Sequence, residues 1–94
     1  MNLYRISQNA NNDWDTYDSA VVVAKTEEEA RYTHPGNHYR WDEDAWSFQF
    51  SDGTSEKEGP ETYDWTDPSN VNVELIGTAV AGLSGVICSS FNAG

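Results

Sequence analysis

The sequence predicts an α+β protein: an antiparallel sheet of four to five strands with one short helix packed on one face. Three observations predict it. Alternating apolar residues recur in several short runs, as in Trp46-Ser47-Phe48-Gln49-Phe50 and Val71-Asn72-Val73-Glu74-Leu75. Glycine, proline, asparagine and aspartate punctuate those runs at the points where an antiparallel chain must turn. A single segment, Thr26-Glu27-Glu28-Glu29, carries a helix-start signature. Ninety-four residues make one domain spanning 1–94, with room for one modest core. Aromatic residues, at 13%, give that core more area than the low apolar total suggests, because each large ring buries about 150–250 Å².

Leu3, Tyr4 and Ile6 lie in a first strand, residues 2–7. The Asn and Asp residues of 9–13 tolerate left-handed backbone and form a turn. Residues 17–24 form a second strand, because the Val21-Val22-Val23 run is β-branched and stiff. Thr26 then caps a helix over 27–33. Its hydroxyl accepts from the amide of Glu29, and three glutamates in the first turn suit the positive end of the helix dipole. His34-Pro35-Gly36 ends the helix. So short a helix depends on packing, with Ala30, Thr33 and one side of Tyr32 as its inward positions. Residues 37–46 have no regular pattern. Residues 46–51 form a third strand that presents Trp46, Phe48 and Phe50 on one face, and Asp52-Gly53 turns the chain. Residues 54–70 read as a long exposed loop. Residues 71–75 and 86–91 supply the last two strands, joined by a glycine-broken linker over 77–85. The predicted core contains Ile6, Val21, Val23, Ala30, Phe48, Val73 and Leu75.

Charge is the feature with functional reach. Sixteen acidic residues face five basic ones, for a net charge of −11. The excess concentrates between Trp41 and Asp67, where Asp42, Glu43, Asp44, Asp52, Glu56, Glu58, Glu61, Asp64 and Asp67 accompany one cation, Lys57. Such a field repels nucleic acid and anionic membrane and attracts basic partners. Trp41, Tyr63 and Trp65 fit neither a strand nor a helix period, and they sit beside Asp42, Glu43, Asp44, Asp64 and Asp67. Aromatic anchors with a polar rim make a binding surface, so these eight residues form the predicted partner-binding site.

The other chemistries fail on their spacings. An EF-hand loop counted from Asn11 would need glycine at Thr16 and a bidentate glutamate at Val22, so Asn11, Asp13, Asp15 and Asp18 form no calcium loop. His34 and His38, with Cys88, fall short of a zinc set, because Pro35-Gly36 between the histidines precludes a helical pair. No nucleophile elbow, phosphate loop or His-Glu-x-x-His helix is present. Carboxylate pairs are too frequent to identify an acid–base couple. Cys88 sits in a strand pattern, where cysteine acts as a small apolar residue. The expectation is a protein without catalytic residues, metal or cofactor. One cysteine excludes an intrachain disulfide framework, and neither a signal peptide nor a membrane span of ~20 apolar residues is evident, so a cytoplasmic protein is expected.

Several segments carry a resemblance. They are Leu3-Tyr4 with Ile6-Ser7-Gln8, Tyr17-Asp18-Ser19-Ala20-Val21-Val22, Glu28-Glu29-Ala30-Arg31 with His34-Pro35, Val73-Glu74-Leu75-Ile76-Gly77, and Cys88-Ser89-Ser90-Phe91-Asn92-Ala93-Gly94. Together the chain resembles a family of small acidic proteins encoded by bacteriophages and prophages, over most of its length outside 37–70. The family brings no catalytic residues. In size, charge and origin it is similar to inhibitors of host defence, including anti-CRISPR proteins and DNA mimics of anti-restriction systems. The resemblance therefore implies a non-enzymatic inhibitor, acting in a bacterial host cell. Its partner would be a basic, nucleic-acid-handling host protein such as a CRISPR effector. Two other readings fit the same sequence: a phage accessory or structural protein whose acidity serves solubility, and a small enzyme whose site no motif marks.

Overall fold

The computed structural model describes residues 1–11, 16–36, 38–59, 63–80, 82 and 85–92, with the side chains of 88–92 left out. Antiparallel sheet dominates and one short helix accompanies it, as expected. The strand count differs: among the described residues, seven strands form two sheets. The strands are β1 (Asn2–Ser7), β2 (Thr16–Ala24), β3 (Tyr39–Asp42), β4 (Ala45–Gln49), β5 (Ser55–Lys57), β6 (Asn72–Thr78) and β7 (Gly85–Asn92), with helix α1 (Glu27–Arg31) after β2. The first sheet runs β6-β1-β2-β7 and the second β3-β4-β5. No helix among the described residues is long and apolar enough to cross a membrane.

Period-2 alternation sets the inner face of the larger sheet. Tyr4 and Ile6 of β1, with Ala20, Val22 and Ala24 of β2, point into one core, which Ala30, Trp46, Trp65 and Val71 complete. Val73 and Val86 pack against its edge from the two outer strands. Ile6, Val23 and Ala30 are buried as predicted, whereas Val21 and Phe48 are only half-buried. Leu75 is a correction, since 62% of its surface is exposed. It shares the periodicity of Val73, but it lies on an edge strand. The register with β1 shifts between Leu3 and Tyr4, so that Ile6 pairs with Val73 and Tyr4 with Leu75. Alternation assigns a side chain to a face; it does not say how far the covering layer reaches.

Helix α1 ends two residues earlier than the 27–33 expected. Thr26 Oγ1 accepts from the Glu29 amide at 3.1 Å, as the capping signature requires. The Glu29 carboxylate reaches the amide of Lys25, at 3.4 Å, instead of that of Thr26. Arg31 at the other end ties the helix to the chain before β6 by donating to the carbonyls of Pro68 and Val71. Thr26→Ala should therefore lower stability by about 0.5–2 kcal/mol, read as a shift of the urea unfolding midpoint at unchanged slope. An unchanged midpoint would show that packing alone holds the helix.

Residues 54–70 are not an open loop. They contain β5, a 3₁₀ turn over Pro68–Asn70, and buried Trp65, Thr66 and Pro68. Residues 37–46, read as irregular, hold β3, paired Tyr39 to Phe48 and Trp41 to Trp46. The third strand was expected to reach residue 51, but β4 ends at Gln49; the Asp52-Gly53 turn is present, with Gly53 at φ 91°. Of the segments given a role by sequence, Asn12, Asp13, Asp15, Asn37, Pro60, Glu61, parts of the 77–85 linker and the Cys88 side chain lie outside the description.

Candidate binding surface

The tip of the β3–β4 hairpin carries three of the predicted site residues in a row. Asp42 pairs with Ala45, so Glu43 and Asp44 make a two-residue connection. The Asp44 amide donates to the Asp42 carbonyl at 2.7 Å, and Glu43 sits at φ 61°. This is a γ-turn with positive φ at a residue that has a Cβ, a strained arrangement. Glu43 and Asp44 are exposed and Asp42 is half-buried. Lys57 Nζ lies 3.0 Å from Asp44 Oδ1. That bond, and the charge behind it, hold the Asp44 carboxyl below its ordinary range and raise the Lys57 ammonium. No glycine or asparagine marks this turn, so nothing in the sequence announced the hairpin.

Tyr63 lies against the core, where its hydroxyl accepts from the Trp46 amide at 3.2 Å. Burial raises its phenol, and the charges of Asp67, Glu58 and Asp44 add to that. Trp41 packs edge-on against Trp46, with ring centres 5.3 Å apart, and is half-buried. Both keep some exposed surface beside the hairpin tip. Asp67 is exposed.

Trp65 and Asp64 are placed apart from the rest of the predicted site. Trp65 is completely buried and cannot meet a partner in this fold. Its segment is bolted to the body through the backbone. The Asn11 side-chain amide donates to the carbonyls of Tyr63 and Trp65 at 3.0 and 3.1 Å, and the Tyr17 amide donates to that of Asp64 at 2.8 Å. Trp46 Nε1 donates to the carbonyl of Thr66 at 2.8 Å. Asp64, half-buried, turns inward to His34.

Sequence reasoning missed His34 altogether as a buried group. Its ring is 2% exposed, stacked on Tyr39 at 4.2 Å and met edge-on by Trp46 at 4.9 Å. The Gly36 amide donates to Nδ1 at 2.8 Å, so Nδ1 carries no proton. The neutral ring then bears its hydrogen on Nε2 and donates it to Asp64 Oδ1 at 3.1 Å. Burial lowers the His34 pKa, with Asp64 opposing that shift. Space favours glycine at 36: a Cβ would stand 3.0 Å from Nδ1 and 3.1 Å from Cε1 of His34, tight enough that the ring would have to yield. With both nitrogens engaged, the pair serves as an internal bracket between the chain after α1 and the 63–66 segment. His38 is exposed and takes no part in it.

Around this bracket, burial pushes the Tyr39 phenol up to about 12, helped by the charges of Glu58 and Asp64. Burial likewise raises Glu58, again with Asp64 contributing. Among the described residues, no group of three His, Cys, Asp or Glu side chains is gathered so as to hold a metal ion. No protein-family model, curated protein or solved structure matches the chain.

Proposed function

We propose that this chain is a non-enzymatic binding protein of the phage-inhibitor kind. Its acidic surface engages a basic, nucleic-acid-handling surface of a host-defence protein such as a CRISPR effector. The observation that carries the reading is the β3–β4 tip, where Asp42, Glu43 and Asp44 follow one another at the turn, with Trp41 next to them half-exposed and Tyr63 half-exposed against Trp46. Two cations are already engaged: Lys57 with Asp44, and Arg31 with backbone carbonyls and Glu27. The negative field therefore reaches solvent with little compensation. The acids occupy turns and the start of α1 more than any one strand, so the reading rests on attraction of a basic face and not on a ladder of phosphate-spaced carboxylates.

Capture from a bacterial host lysate at low and high salt tests this directly. A defined partner, released by salt, is the expected result. Against that partner, Asp42→Asn with Asp44→Asn should slow association about tenfold and flatten its salt dependence. Glu27→Gln with Glu28→Gln, on the helix, should leave the rates near those of the parent. Loss of binding in the helix variant alone would move the functional face to α1. No partner at either salt would favour acidity that serves solubility alone.

A further inference from the structure

We infer that a cleft beside the second sheet receives the guanidinium group of an arginine side chain from a protein partner; this rests on the binding reading above and names what one part of the surface recognises. The cleft encloses about 430 Å³. Tyr39, Phe48 and Glu56 stand in a single cross-strand row, since Phe48 pairs with Tyr39 on one side and with Glu56 on the other. Phe50 extends the aromatic wall, with ring centres 4.9 Å from Phe48, while Tyr39 meets Phe48 at 5.3 Å. Glu58 closes the inner end, following β5 with its amide bonded to the Trp46 carbonyl at 2.9 Å.

The lining selects its ligand by charge and shape. Glu58 Oε1 is shut off from solvent without a hydrogen-bond partner among the described residues, while the Tyr39 hydroxyl donates to the same carboxyl group. A desolvated carboxylate oxygen in that position gains most from a charged donor. Lys57 also borders the cleft, but its ammonium is bound to Asp44. An apolar guest would leave Glu56 and Glu58 without a countercharge, and an anion would be repelled by them. A planar cation satisfies both parts: it stacks on aromatic faces and offers forked N–H donors to carboxylates, which suits guanidinium better than ammonium. The same group abounds on surfaces that handle nucleic acid.

Titration of the full chain with N-acetyl-arginine N-methylamide, followed by amide NMR, tests the assignment. The expected result is saturable binding, with shifts centred on residues 39, 48, 50 and 56–59. The neutral isostere N-acetyl-citrulline N-methylamide should not bind, and the lysine analogue should bind more weakly. Glu58→Gln and Phe50→Leu should each weaken arginine binding about fivefold or more. Both should fold, the first because it removes a desolvated charge and the second because Phe50 is 44% exposed. Citrulline or lysine binding as well as arginine, or shifts confined to 42–44, would overturn the inference. Arginine binding in the cleft without any partner captured from lysate would sustain the inference and defeat the broader proposal. A salt-sensitive partner whose affinity ignores both variants, with no arginine binding, would do the reverse.

Discussion

Trp65→Ala should cost about 3–5 kcal/mol, the range for truncating a fully buried large aromatic, and so remove much of the stability of a domain this small. The ring stands in the common core with Ile6, Val22, Ala30 and Trp46, and it holds the 63–66 segment in place. Losing it would also loosen Asp64 and Thr66, the acceptors for His34 and the Trp46 indole. Urea unfolding of the variant checks the magnitude. Trp65→Phe separates packing from polarity. Trp65 Nε1 is buried without a partner among the described residues, so the phenylalanine variant sacrifices no hydrogen bond and should lose far less. Trp46→Phe, by contrast, strips the donor from the Thr66 carbonyl and should cost more than its volume alone. If Trp65→Ala left stability intact, the segment would not be part of the core.

The second large effect is in pH. The folded His34 pKa lies below its ordinary value of 6.5, chiefly through burial. The unfolded chain therefore takes up a proton that the folded chain resists. The stability tied to a neutral His34 is complete above about pH 6.5 and is lost as pH falls from there through the folded pKa. The slope should approach ~1.4 kcal/mol per pH unit where the unfolded state is charged and the folded state is not. Glu58 acts with the opposite sign. Its raised folded pKa gives stability that is present below its ordinary 4.5 and lost as pH rises through the folded value. Glu58→Gln should therefore raise stability at neutral pH. His34→Phe should be less stable than the parent and should lose the rise in stability between about pH 5 and 6.5, keeping only the opposite trend from Glu58. The imidazole proton shifts of the parent give an independent reading. If they titrated near pH 6.5 with no loss of stability, the ring would not be enclosed as described.

Segments whose side chains repeat were readable before any coordinates. The first strand over 2–7, the β-branched run at Val21-Val22-Val23 and the Thr26 cap each appear in the structure close to where the pattern put them. The errors share a different character. Trp65 lies in a stretch dense with charge, proline and glycine, and was read as a partner anchor because nothing periodic surrounded it. What fixes it inside is a set of hydrogen bonds from Asn11, Tyr17 and Trp46 to the carbonyls of Trp65, Asp64 and Thr66, each made across 20 or more positions of chain. Polar side chains that clamp a distant backbone leave no repeat to detect. The same holds for His34, whose partner Asp64 is 30 residues off.

Local stereochemistry is what the sequence alone determined: strand and helix preference, where the chain turns, and a net charge of −11 that must lie mostly outward because isolated charges are costly to bury. Tertiary structure decided which aromatics meet solvent. It placed Trp65 inside, left Trp41 and Tyr63 half outside, and opened a cleft lined by Phe48, Phe50 and Glu58. The physical reason is that burial depends on what covers a face. Leu75 and Val73 share one periodicity and differ only in how far the opposing layer extends. That extent is fixed by contacts between residues far apart in the chain, and no local pattern encodes it.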